Sequence, residues 1–129
     1  MTGQPGRSGR RRLLAASALP PWPIRDGYSL RVAHLLDRLA DRWRVTLVSP
    51  AGPEDERPAA PGGLEWRRVE GVPATTVLPW RDERSRLTDH VQGVLAERRF
   101  DGALLWSGTE FLAGAIPDFP PAVADRIDC

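Results

Sequence analysis

"RLLAASALPPWPIRDGYSLRVAHLLDRLADRWRVTLVSP", residues 12–50, is the stretch that decides the fold. Leu13 to Leu19 are uninterrupted apolar and small residues, the pattern of a strand buried on both faces. Pro20, Pro21, Trp22, Pro23, Ile24, Arg25, Asp26 and Gly27 follow as a proline-rich turn closed by a glycine. From about Ser29 to Arg42, Val32, Leu35, Leu36, Leu39 and Trp43 recur at helical spacing, while Arg31, His34, Asp37, Arg38 and Asp41 take the other side. Val45, Thr46, Leu47, Val48 and Ser49 make a short β-rich strand that Pro50 ends. Strand, turn, helix and strand in that order are the opening βαβ unit of a parallel sheet. The first turn of such a unit lies where these sheets take ligands.

Working outward, residues 1–11 lack apolar periodicity and read as a disordered basic leader. An arginine cluster followed by an apolar run and Ala16-Ser17-Ala18 imitates an export signal, but the run is short for one and far short of a membrane span. Residues 50–63 carry Pro, Gly, Ala and acids without the pattern of a crossover helix. The third strand, Leu64 to Val69, therefore joins the sheet with its direction undetermined. After a second proline-bearing loop, Leu87, Val91, Val94 and Leu95 mark a helix from about Asp82, as N-cap, to Arg99. Residues 102–106 give a fourth strand, residues 109–115 a short helix and residues 122–125 a fifth strand. The expected product is an α/β fold: an open, mostly parallel, Rossmann-like sheet of order 3-2-1-4-5 with helices on both faces. Its switch point, between the first and fourth strands, should bring residues 20–27 and 107–110 to one crevice.

Composition narrows the functional classes. With 129 residues the chain is expected to form one domain from residue 12 onward. All 18 basic residues are arginines; Arg7, Arg10, Arg11 and Arg12 stand in the first dozen, leaving 14 against 17 acids. A folded part of net negative charge is not a nucleic-acid binder by charge. The single cysteine, Cys129, supports neither an intrachain disulfide nor a cysteine zinc site, which fits a reducing, cytoplasmic setting. No transmembrane segment, P-loop, Gly-x-Ser-x-Gly elbow or metal-ligand constellation is present, and no cofactor is expected.

Few side chains are placed to carry chemistry. Gly27, just before the first helix, would let a ligand's phosphate or sugar approach the free N–H groups of the helix start, with Arg25 as partner for an anion; alternatively Asp26-Gly27 only redirects the chain. Ser107 and Glu110 match the Ser-x-x-Glu spacing of a capping box, and at a switch point either is also a candidate substrate contact. Asp125 and Asp128, three apart in an extended segment, point to opposite faces and so do not form an acid–base pair. His34 and His90 read as solvent-exposed or packing residues.

Taken together, "LLAASALPPWPIRDGYSLRVAHLLDRLADRWRVTLVSP", "FDGALLWSGTEFLAG" and "PPAVADRIDC" resemble the N-terminal domain of GT-B type group 1 glycosyltransferases, the broad class that includes glycogen and sucrose-phosphate synthases. The similarity runs from Arg12 to Asp128 and is thin in the two proline-rich loops. The resemblance implies an acceptor-side lobe of a two-lobed enzyme that moves a sugar from a nucleotide-sugar donor to an acceptor. It implies that Gly27 lies near the donor phosphates and that Asp128 is the acid following the fifth strand. Where the family often has a second glycine in the first turn and a histidine near the fifth strand, this chain has residues such as Asp26 and Ile127.

On this reading a C-terminal, donor-binding lobe is missing from the 129 residues, which are expected to be inactive alone. Sugar, acceptor, stereochemical course and peripheral membrane association of the intact enzyme stay open. The alternative is a stand-alone doubly wound module that binds a nucleotide or a protein without catalysis. An epimerase or reductase is disfavoured because the dinucleotide fingerprint is absent.

Overall fold

The computed structural model describes residues 11–51, 63–75 and 81–125. Its elements are β1 (Arg11–Ala16), α1 (Gly27–Leu39), β2 (Trp43–Pro50), β3 (Leu64–Val69), α2 (Arg81–Glu97), β4 (Gly102–Trp106), α3 (Phe111–Ala115) and β5 (Ala122–Asp125). The five strands form one open sheet of order β3-β2-β1-β4-β5. All four pairings are parallel, and β3 runs with β2 from Val45 opposite Leu64 to Pro50 opposite Val69. The direction that the sequence left undetermined is thereby settled.

Both faces of the central strands are covered. On one face Leu13, Ala15, Val45, Leu47 and Trp106 pack against Tyr28, Val32 and Leu36 of the α1 region. On the other, Leu14, Ala16, Val48, Ala103 and Leu105 meet Leu87, Val91 and Val94 of α2 and Leu112 of α3. Alternate residues of β1 thus enter two different cores, which is why its sequence is continuously apolar. Each fully buried Leu or Val contributes about 1.5–3 kcal/mol by leaving water.

Element boundaries depart from the sequence reading where side chains, rather than periodicity, set them. The first strand stops at Ala16 instead of Leu19: Ser17 Oγ donates to Leu19 O at 2.8 Å and turns the chain. α1 starts at Gly27, two residues before the expected Ser29, because Asp26 is its N-cap and Ser29 closes a capping box. The helix ends at Leu39 and a tight turn follows, so Trp43 opens β2 instead of completing the helical face. α2 begins at Arg81, which puts Asp82 in the first turn, favourably placed for the helix dipole, and not at the cap.

Candidate crevice at the switch point

The two bends meet. Tyr28, 1% exposed, lies between them; its hydroxyl accepts from Ala18 N–H at 3.1 Å and donates to Ser107 O at 2.6 Å. A second tie lies beside it, where the buried Thr109 hydroxyl approaches Ala16 O at 3.0 Å and Trp106 O at 2.8 Å. Since one hydroxyl carries one proton, it serves these two carbonyls as a shared or alternating donor. The carboxyl ends of β1 and β4 are therefore held at a common mouth by two buried hydroxyls.

Arg25, Asp26 and Gly27 form the exposed lip of the first bend. The Asp26 carboxylate accepts from Ser29 N–H at 2.8 Å and Ser29 Oγ at 3.0 Å, and Ser29 Oγ lies 3.1 Å from Asp26 N and 2.8 Å from Arg25 N. Asp26 is thus largely spent on starting the helix. Gly27 is different. It has no positive φ, and a Cβ built there would meet nothing within 4 Å. Neither a positive φ nor a close neighbour requires glycine at this position. An open depression of about 300 Å³ runs from Gly27 along Leu30, Arg31 and His34 of α1.

On the opposite lip, Ser107 and Glu110 are half-buried, and the N-cap of α3 is Glu110 and not Ser107. Glu110 accepts from Gly108 N–H at 2.8 Å, within a turn whose Gly108 has φ of +96°, and makes no side-chain cap bond to α3. Thr109, between them, is the side chain that reaches the first strand. Asp128 lies outside the described residues.

Asp125, dismissed in sequence as half of an acid pair, has a different role. Its carboxylate receives Arg31 Nε at 2.8 Å and Nη2 at 3.0 Å, together with Trp106 Nε1 at 3.0 Å. The hydrogen bond from Arg31 leads in holding this carboxyl below the usual carboxylate range, partly offset by burial. The group ties α1 to the edge strand β5 on the crevice side. Arg31 and Asp125 are 94 residues apart, and no local pattern signals the pair.

A second group of charged side chains lies on β3 and at the end of α2. Arg67 of β3 is paired with Glu65 and Glu97, and Arg98 reaches Glu65 at 2.9 Å. His90 of α2 has a buried Nε2 with no hydrogen-bond partner among the described residues, and burial, then Arg67, pushes its pKa down. Among the described residues, no group of three or more His, Cys, Asp and Glu converges on a possible metal position, and no helix is long and apolar enough to cross a membrane.

Fold and crevice define a Rossmann-like, doubly wound α/β unit, and its β1/β4 switch point is the place where sheets of this kind generally take ligands. No family model matches the chain, and no curated protein matches it.

Proposed function

We propose that this chain is the acceptor-side lobe of a glycosyltransferase that works on a nucleotide-sugar donor together with a second α/β lobe. One observation carries the reading: Tyr28, directly after the bend at residues 20–27, is hydrogen-bonded to Ser107 at the switch point, and the lip beside it holds a glycine required by neither a positive φ nor a close neighbour. In such a site a donor phosphate would approach the Gly27 and Tyr28 N–H groups, beside the Ser29 N–H that Asp26 caps, with Arg25 on the same lip as the candidate cation. Ser107 and Glu110 on the opposite lip are the candidate contacts for an acceptor hydroxyl. Asp128 remains the candidate acid beyond β5.

Chemistry in this class of site is mainly positioning, with charge stabilisation of the departing nucleoside diphosphate in a cleft closed between lobes. The described residues form one wall of such a cleft, and the 129-residue polypeptide is expected to show no turnover without a second lobe. The test is amide NMR of the purified chain during titration with nucleoside diphosphates and their sugars. Shifts confined to residues 25–29 and 107–110 are the expected result; silence at both bends would overturn the reading. Coding sequence is the second check. A further α/β unit with paired glutamates, in frame or adjacent, supports the transferase, whereas a stop followed by unrelated sequence, with binding at the bends, supports the stand-alone module.

A further inference from the structure

The opposite end of the sheet carries a charge arrangement that the crevice does not explain. At the amino ends of the strands, Arg12 of β1 and Arg44 of β2 are register partners. Leu13 and Val45, the next pair, belong to the core beneath α1, so strand alternation sends both arginines to the α2 face. Their backbones stand on neighbouring strands about 4.8 Å apart, so two long cationic side chains leave the same face of the sheet side by side. Neither guanidinium has an ion-pair partner among the described residues.

The nearby acids do not relieve them. Glu65 is engaged by Arg67, Arg98 and Thr46, and Asp101 accepts from the Arg12 backbone N–H at 2.9 Å. Both arginines line an open basin of about 410 Å³, together with Thr46, Gly63, Glu65 and Arg98. A planar guanidinium presents paired N–H donors that match the oxygens of a phosphate, and two adjacent forks suit a dianion better than a single negative charge.

We propose that the Arg12–Arg44 pair is an anion site for a phosphate-bearing ligand, at the amino ends of the strands, opposite the switch-point crevice. It stands independently of the sugar-transfer reading, because the strands separate the two places by on the order of 15–20 Å. The ligand's phosphate belongs either to a soluble molecule or to a lipid headgroup.

The test uses the whole chain at low salt. Thermal melting is followed with pyrophosphate and with chloride at matched ionic strength, and sedimentation is followed with phosphatidylcholine vesicles with and without phosphatidic acid. The variants are Arg12→Gln/Arg44→Gln, Arg44→Gln alone in case the double change impairs folding, and Arg38→Gln as a charge-loss control on α1. A pyrophosphate-specific rise in melting temperature, with affinity about tenfold weaker in the Arg44→Gln protein and intact in the Arg38→Gln protein, supports a soluble phosphate ligand. Co-sedimentation that needs phosphatidic acid and Arg44, without a pyrophosphate effect, supports a lipid headgroup. Absence of both effects, or effects that survive in the Arg12 and Arg44 variants or fall equally in the Arg38 variant, overturns the site.

Discussion

Two residues separate what the fold requires from what a ligand would require. Tyr28 is structural: its buried hydroxyl satisfies Ala18 N–H and Ser107 O across the crevice floor. Tyr28→Phe should destabilise the chain by about 1–3 kcal/mol, read by urea denaturation, because it leaves a backbone N–H without its acceptor. Gly27 should behave oppositely. With open space at its Cβ position and no positive φ, Gly27→Ala should fold at least as stably as the parent, gaining up to about 1 kcal/mol in the same measurement. If the glycine serves a phosphate, the amide shifts produced by nucleoside diphosphates should weaken in this variant. A marked loss of stability would instead return Gly27 to a purely architectural role. The sequence singled out Gly27, but the lone tyrosine beside it gave no sign of its bridging contact, since its partner Ser107 lies 79 residues away.

At the scale of elements, two side chains govern how helices sit on the sheet. Asp125 joins β5 to α1 through Arg31, and its folded-state pKa is depressed. A depressed carboxylate contributes stability above its ordinary pKa and loses that contribution as pH falls through the folded value. Asp125→Asn should therefore flatten the acid limb of the stability curve, followed by circular dichroism. The effect is small because Arg31 is half-exposed. His90 in α2 also has a lowered folded pKa, here because burial disfavours the imidazolium and Arg67 repels it. The unfolded chain then binds the proton more readily, so stability falls as pH drops below the ordinary histidine value of 6.5 and through the folded one. His90→Phe should abolish that portion of the pH dependence; a slope unchanged by the substitution would place its origin elsewhere. These elements themselves were legible, because helical and strand periods are local. Their ends were less so: Asp26 and Ser29 pull the start of α1 forward, and α3 starts after Glu110, two residues later than its sequence pattern suggests.

For the whole molecule, burial is graded across the sheet from centre to edge. β1 is paired on both sides and covered on both faces, whereas β5 pairs only with β4 and leaves Val123 67% exposed. Hydrogen exchange should accordingly be slowest at Leu14 and Ala15 and fastest, among strand amides, in β5. Equal protection of β5 and β1 would mean that the edge is covered by something beyond the described residues. The sequence by itself determined the inventory of elements, because apolar spacing and strand-breaking prolines act over a few residues, and it fixed the expectation of a 3-2-1-4-5 sheet through the βαβ opening. Only the tertiary structure decided the direction of β3, the joining of the two bends by Tyr28 and Thr109, the Arg31–Asp125 tie and the adjacency of Arg12 and Arg44. Those features depend on register and on contacts between residues distant in the chain. They exist only after the packing of both sheet faces has brought their partners together.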